Sequence, residues 1–379
     1  MLMEIMSPVG NFESLYAAIQ GGADAVYFGV GQLNMRSRSA ANFGLDDLEK
    51  IVEICKKHRI RSYLALNTIV YDDELMQIRI ILDLAKKVGV SAVIASDMSV
   101  INYARKINLE VHISTQCNIT NIEAVQFFSQ YADVMVTARE LSLKQVADIV
   151  KGIEKLQIKG PSGNLVQIEI FAHGALCMAV SGKCYLSLDN YNESANRGKC
   201  LQLCRRTYKL TDIEENVEIE VDNQYLMSPK DLKTLDFLPQ IINAGVQVLK
   251  IEGRGRSADY VKTVTQVYKQ AIADIENGTW SKEKLETYNL KLASVYNRGF
   301  WNGYYHGQKM GEWADSYGSK ASKKKEYVGK ITNFFSNISV AEIKIETGKI
   351  SVGDEILIMG ETTGVYEDVV DEIRVELTA

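Results

Sequence analysis

The sequence predicts an α/β fold: a (βα)8, TIM-like barrel with a large cysteine-containing loop after its seventh strand, followed by a small C-terminal β-barrel domain. Three observations carry that prediction. Over the first 170 residues, short apolar runs rich in branched side chains alternate with amphipathic stretches of helical period. Glycine marks the joins, as in Gly21-Gly-Ala-Asp-Ala-Val-Tyr-Phe-Gly29, Gly89-Val-Ser-Ala-Val-Ile-Ala95 and Gly245-Val-Gln-Val-Leu-Lys-Ile-Glu-Gly253. Each join reads as helix, C-terminal glycine, buried strand. Beyond residue 327 the pattern changes to short alternating segments separated by turn glycines.

In chain order, strands are predicted at 3–7, 25–28, 61–67, 92–95, 111–114, 134–136, 167–171 and 248–252. Helices are predicted between them at 11–20, 45–58, 73–88, 99–106, 121–131, 142–156 and 229–244. Eight alternations suit a closed barrel, whereas a doubly wound open sheet usually has fewer strands and a glycine-rich phosphate loop after the first; no GxGxxG or Walker loop follows a strand here. The segment at about 174–228 is then an enlarged loop on the C-terminal face, where barrel enzymes carry their chemistry. Helices at 257–277 and 282–298 complete the outer shell of a unit spanning 1–314. A polar linker, 315–326, carries Lys320, Lys323, Lys324 and Lys325. Strands at 327–332, 339–345, 355–359 and near 371–377 make up the β-domain, 327–379, which is small enough to need docking.

At 379 residues, with 46% hydrophobic side chains, the chain can bury a large core. A net charge of −5 argues against wholesale coating of nucleic acid, so an RNA substrate would be held locally. The first residues lack a basic region followed by an apolar run, and no stretch reaches about 18 uncharged apolar residues. A cytoplasmic protein without membrane contact is the expectation. Clustered cysteines in such a chain point to metal or catalysis rather than disulfides.

Four of the six cysteines fall within 28 residues, as C-x6-C-x15-C-x3-C: Cys177, Cys184, Cys200 and Cys204. Four soft thiolates in one loop select zinc or an iron–sulfur cluster over hard cations, and only Cys200/Cys204 has zinc-knuckle spacing. The alternative is that they are small buried hydrophobes. Cys55 belongs to an apolar helical stripe, and Cys117, just past the fifth strand, is a second candidate for the fourth ligand. On an extended strand Glu169, Phe171 and His173 share one face and the last reaches the rim, which makes Glu169 and His173 candidate catalytic groups. Glu252, Arg254 and Arg256 end the eighth strand, and Arg36, Arg38 and Arg197 fall in other mouth loops. Arginines there can fork onto carboxylate or phosphate oxygens; the competing reading is an ion pair with Glu252 that closes the barrel. No HExxH, no GxSxG and no papain- or caspase-type cysteine signature is present.

The strings Glu169-Ile-Phe-Ala-His-Gly-Ala-Leu-Cys177, Ser181-Gly-Lys-Cys184-Tyr-Leu-Ser187, Asn196-Arg-Gly-Lys-Cys200-Leu-Gln-Leu-Cys204-Arg205, Ser228-Pro-Lys-Asp-Leu232 and Lys250-Ile-Glu-Gly-Arg254 resemble the collagenase-like peptidase family, number thirty-two of the unknown-mechanism class. Met6-Ser-Pro-Val-Gly10 and Gly22-Ala-Asp-Ala-Val-Tyr-Phe-Gly29 resemble its N-terminal signature, so the resemblance spans the chain. That family includes prephenate-dependent tRNA uridine hydroxylation proteins, a ribosomal-RNA cytidine hydroxylation protein and oxygen-independent ubiquinone hydroxylation proteins with 4Fe-4S clusters. The layout here is most similar to the tRNA group. The resemblance implies a 4Fe-4S cluster on Cys177, Cys184, Cys200 and Cys204, with zinc as an alternative occupant after purification. Quinone-type members use a later cysteine near the Ser228 motif, where this chain has Lys233 and no later cysteine. It further implies prephenate as a co-substrate; for a dicarboxylate an arginine-lined mouth is chemically suitable, and the candidate binding residues are Arg36, Arg197, Glu252, Arg254 and Arg256, without the sequence deciding which arginine binds it. Its RNA partner would be the tRNA anticodon arm, gripped by the β-domain and the lysine linker, and a related family subunit is a further implied partner. The implied reaction is 5-hydroxylation of the wobble uridine; the alternatives are a collagenase-like peptidase and a non-catalytic scaffold for a related subunit.

Overall fold

Eight parallel strands close on themselves in the computed structural model, which describes residues 3–38, 42–219, 225–307 and 311–375. The first seven strands and six helices alternate: β1 (Glu4–Pro8), α1 (Phe12–Gln20), β2 (Ala25–Phe28), α2 (Asp47–Lys57), β3 (Arg61–Leu66), α3 (Leu75–Val88), β4 (Ala92–Ala95), α4 (Met98–Lys106), β5 (Glu110–Ile113), α5 (Ile122–Ser129), β6 (Val134–Val136), α6 (Leu143–Leu156) and β7 (Gln167–Ala175). Within the cysteine loop lie α7 (Leu186–Tyr191) and a hairpin of β8 (Leu210–Asp212) and β9 (Val217–Ile219). Then come β10 (Asp231–Lys233), α8 (Leu238–Asn243) and the eighth barrel strand, β11 (Val248–Ile251). β11 pairs with β1 through Val248 and Glu4 and with β7 through Val248 and Glu169, which closes the ring.

Local chemistry explains the alternation. Asn11 and Asn121 accept hydrogen bonds from the backbone N–H groups of Ser14 and Ala124, and Ser142 forms a capping box with Gln145. Gly89 takes φ 87 at the end of α3, a turn that reverses the chain into β4. The strands are apolar on both faces because both are covered. One face fills the barrel with Met6, Ala25, Tyr27, Tyr63, Ala92, Ile94, Val134 and Val248; the other packs on the helices. Inside, the Lys250 ammonium lies 2.8 Å from Glu169.

Three expectations need correction. The segment 229–244 is not one helix: Asp231–Lys233 forms β10, antiparallel to His173–Ala175, and α8 starts only at Leu238, with a proline in its first turn. β7 runs four residues further than its apolar pattern suggests, and this extra length gives β10 a partner; β12 (Phe300–Trp301) pairs with β10 in turn. The helical shell ends with α9 (Ala258–Glu276) and α10 (Lys282–Ser294). The C-terminal region is not a closed β-barrel but two hairpins, β13 (Gly329–Phe335) with β14 (Val340–Ile345) and β15 (Glu355–Gly360) with β16 (Gly364–Val369), with no ladder joining them among the described residues. The last strand is therefore earlier than predicted, and 376–377 of the predicted one lie outside the described residues. The second hairpin docks on the barrel instead. Gln20 of α1 donates to the Thr363 carbonyl and accepts from Val365 N–H, and buried Val365 joins the barrel core. Among the described residues no helix is long and apolar enough to cross a membrane.

Candidate active site

The cysteine loop is laid across the C-terminal mouth and tied down at its edges. Gly198 sits at φ 75, and a Cβ there would stand 2.1 Å from the Asn34 carbonyl oxygen, so only glycine lets the loop reach the turn after β2. Ser37 Oγ donates to the Gly198 carbonyl at 3.1 Å. Arg197 donates to the Ile69 carbonyl at 2.6 Å, forks onto Glu74 and stacks over Tyr71. Arg205 joins the two ends of the loop by donating to the carbonyls of Leu176 (2.7 Å) and Pro229 (2.6 Å) and to Ser228 Oγ.

Within this loop Cys177 is exposed and Cys184, Cys200 and Cys204 are half-buried; all four are free thiols. They lie close enough to act on one another. Burial, partly offset by Arg205, pushes the Cys204 thiol up to about 11, with Cys177, Cys200 and Cys184 adding to the rise. Burial also raises Cys184, with Cys177 and Cys200 contributing. Among the described residues no three His, Cys, Asp or Glu side chains are near enough together to share a single metal ion. Four thiols gathered in one loop are the donor type that either zinc or an iron–sulfur cluster takes. Cys117 belongs to a different environment: its thiol donates to the Ser96 carbonyl (3.6 Å), and burial, with Lys183 and Asp97 beside it, sets its raised pKa of about 11. Cys55 is buried in the core of α2.

Beneath the loop the mouth is lined by arginine. Arg36 donates through Nε (3.0 Å) and Nη2 (2.6 Å) to Glu252 Oε1. Burial works to raise the Glu252 carboxyl, but Arg36, Arg256 and Arg139 outweigh it and hold it below its ordinary range. Arg256 lies over Tyr296, 3.6 Å from its centroid. Arg254 is buried at 5% exposure beside Tyr27, and its Nη1 has no hydrogen-bond partner. Burial lowers its pKa to about 10. Gly29 makes room for it, since a Cβ there would come within 2.6 Å of Arg254 Nη1 and Asn34 Nδ2. The rings of Tyr27 and Phe171 separate this level from the Glu169–Lys250 pair; the Lys250 ammonium is 4.6 Å from the Tyr27 centroid. Glu169 Oε2 is buried without a partner.

The expected set is thus only partly assembled. Arg36, Glu252, Arg254 and Arg256 converge, and Glu169 lies below them. Arg197 does not join them, because Glu74 and a backbone carbonyl take its donors, and Arg38 is paired with Glu193 at 2.9 Å. His173 does not share a face with Glu169 and Phe171. The β7–β11 register shifts between Phe171 and His173, and this bulge breaks the period of two. His173 packs instead against Tyr260, Tyr268 and Phe300, where burial, then Lys233, lowers its pKa to about 3. Sequence reasoning missed Arg139. It stacks 3.7 Å over Phe171, its Nη1 donates to the Ala175 carbonyl, and its enclosed Nε has no partner. Its position three residues past β6, a barrel strand end, was the available signal.

A family model described as Peptidase family U32 matches residues 10–315. The chain belongs to peptidase family U32. Its relatives carry names of two kinds. It is 54% identical over 374 residues to a protein named collagenase from Porphyromonas gingivalis, covering 99% of this chain and 90% of that one. It is 33% identical to tRNA hydroxylation protein P1 of Bacillus subtilis, covering 99% of this chain and 89% of the relative. To the 23S rRNA 5-hydroxycytidine C2501 synthase of Escherichia coli it is 37% identical over 272 residues, 71% of this chain and 39% of that one.

Proposed function

We propose that this U32 protein is an RNA-modifying enzyme that places a hydroxyl on C5 of a pyrimidine, at the wobble uridine of tRNA, with prephenate as co-substrate and without molecular oxygen. The observation that carries the reading is the gathering of four free thiols in one loop at an arginine-lined barrel mouth, with Arg139 facing Cys177 and Arg36 facing Cys200. Relatives named for tRNA and rRNA hydroxylation support it. Cys177, Cys184, Cys200 and Cys204 would hold the 4Fe-4S cluster, which when bound supplies electron transfer or activation of an oxygen donor.

The chain's own residues have separable tasks. Arg36, Arg254 and Arg256 attract the carboxylates of the co-substrate, and Glu252 keeps Arg36 in place. Tyr27 and Phe171 provide an apolar floor that excludes water from below. Around the loop, exposed Tyr185 and Tyr191 present faces on which an unpaired base can stack, while Arg38 and Lys199 meet phosphates. Arg38 and Lys199 share Glu193, and Lys323, Lys324 and Lys325 of the linker hold Glu355, Glu326 and Asp259. The exposed pairs among these, which leave out buried Asp259, are worth only about 0–1 kcal/mol and exchange readily for phosphate.

The test is mass spectrometry of tRNA and rRNA nucleosides from cells lacking the gene. Loss of 5-hydroxypyrimidine nucleosides, restored by the wild-type gene, is the expected result; an unchanged profile in cells without a paralogue overturns the reading. A second reading, a collagenase-like peptidase, is favoured by the name of the 54% identical relative. It predicts gelatin cleavage by purified protein that depends on mouth residues. Against it, the buried histidines are bonded to Glu110 and Tyr268 rather than to a serine or cysteine nucleophile.

A further inference from the structure

One guanidinium gathers the cysteine loop. β10 runs antiparallel to the end of β7, with Asp231 opposite Ala175, so Leu176 at the start of the loop comes alongside Ser228 and Pro229 at its end. Arg205, from the loop's own interior, spans them. Its Nη2 donates to the Leu176 carbonyl at 2.7 Å, and its Nη1 to the Pro229 carbonyl at 2.6 Å and to Ser228 Oγ at 3.0 Å. Leu176 precedes Cys177, and Arg205 follows Cys204. The turn that carries Cys204 is itself fixed, because Leu203 is buried and its carbonyl accepts from the Tyr208 hydroxyl at 2.7 Å. A single side chain therefore ties the chain at the first of the four thiols to the chain at the last.

The charge of Arg205 has no partner of its own. All three acceptors are neutral oxygens, and among the described residues no carboxylate forms an ion pair with it. Asp231 faces Arg205, but it accepts from the Arg298 backbone N–H at 3.2 Å and from Arg298 Nη1 at 3.3 Å, and Arg256 draws on it too. Burial, then Arg298, holds the Arg205 pKa below the ordinary guanidinium range, while Cys204, Asp231 and Cys177 oppose the fall. A partly buried cation without a counter-ion costs stability. What stands beside this one are thiols, which bind metal as anions. The other arginines at the thiols are placed differently. Arg36 faces Cys200 but is held by Glu252, and Arg139 faces Cys177 from its seat over Phe171 and donates to the Ala175 carbonyl on β7.

We infer that Arg205 is a positioning residue of the thiol site: it fixes the chain at Cys177 against the chain at Cys204, and its charge balances the negative charge that four thiolates bring to an iron–sulfur centre. This role rests on the four cysteines holding the cluster proposed above. Its two parts are chemically separable. The hydrogen bonds hold ligands in place, whereas the positive charge favours the reduced, more negative state of the centre, because net charge around the sulfurs sets the potential.

The experiment uses full-length protein reconstituted anaerobically with iron and sulfide. Iron retained against a chelator and the midpoint potential of the visible absorbance are measured for wild type, Arg205→Lys, Arg205→Gln and, as a neighbouring control, Arg206→Gln at an exposed position. Arg205→Lys keeps the charge, but an ammonium cannot reproduce the planar fork. It should retain iron roughly 10- to 100-fold more weakly, the range for loss of a group that orients metal ligands, at a potential close to wild type. Arg205→Gln loses the charge, and its potential should be more negative than that of both wild type and Arg205→Lys. Arg206→Gln should match wild type in both measurements. The potential is the readout that a purely structural role would not move. Equal potentials in Arg205→Gln and wild type, equal iron retention in Arg205→Lys and wild type, or the same changes in Arg206→Gln would each overturn the role. The failures are distinguishable. Wild type that takes up no iron removes the cluster and this role with it, variants that match wild type in the iron-loaded state remove the role alone, and the nucleosides of gene-deleted cells decide the reaction separately.

Discussion

At the N-terminal end of the barrel Arg61 lies between Glu4 and Glu110, at 3.7 and 2.8 Å, Tyr63 donates to Glu4, and His112 meets Glu110 at 3.0 Å. At the C-terminal end Arg36, Arg139, Arg254 and Arg256 outnumber the carboxylates they face, Glu252 and Asp231, and four free thiols stand over them. The first cluster has an acid for every base and leaves one orphan atom, His112 Nδ1. The second leaves Arg139 Nε and Arg254 Nη1 unsatisfied and concentrates one sign of charge. The same barrel carries one end that is complete as folded and another whose chemistry needs something from outside. That contrast separates residues that hold the fold from residues that meet a ligand.

Four tests probe the contrast, in order of expected size. Cys200→Ala should remove the visible absorbance and bound iron of anaerobically prepared protein and lower RNA hydroxylation by more than about 100-fold, beyond what loss of an outer-shell partner does. Cys55→Ala in α2 should leave both unchanged. Equal spectra in the two variants would dissolve the special status of the mouth. Glu252→Gln comes next. Removing the carboxylate that holds Arg36 should destabilise the ligand-free protein by roughly 3–5 kcal/mol in chemical denaturation, with prephenate restoring part of the loss. A loss that prephenate does not touch would place Glu252 with the fold.

The third test asks whether His173 belongs to the open end. Its folded pKa is lowered to about 3 by burial and Lys233, against an ordinary 6.5. Between those values the unfolded chain binds a proton that the folded chain refuses. Stability therefore falls as pH drops from 6.5 toward 3, by up to about 1.4 kcal/mol per pH unit, and is unaffected above 6.5. His173→Gln should flatten that slope in denaturation curves and leave the pH dependence of activity above 6.5 unchanged. A shift in that activity profile would return His173 to catalysis. The smallest effect belongs to the balanced end. The Arg61 side chain is 40% exposed, so Arg61→Ala should cost about 0.5–1 kcal/mol and leave prephenate affinity unaltered; a change in affinity would mean that the two ends are coupled.

Much of this molecule can be read along the chain. β2, β4 and β6 lie where the apolar runs place them, and α1 and α6 start one residue after the Asn11 and Ser142 caps, because strand burial and helix capping are local properties. The cysteine loop is also legible, since its thiols and its glycines are clustered in sequence. Other features are not local. Whether 231–233 is strand or helix depended on a free edge of β7, and the side that His173 faces depended on a bulge against β11. Four short C-terminal strands look like a barrel in sequence but form separate hairpins.

The sequence by itself determined the alternation of strands and helices, the loop that carries the thiols, and the arginines available at strand ends. Tertiary structure decided which arginines keep a free donor: Arg36 and Arg197 find carboxylates from residues 216 and 123 positions away, while Arg139 and Arg254 do not. The reason is physical. Helix period and capping act over a few residues, whereas the satisfaction of a buried charge depends on whatever side chain the fold brings alongside it.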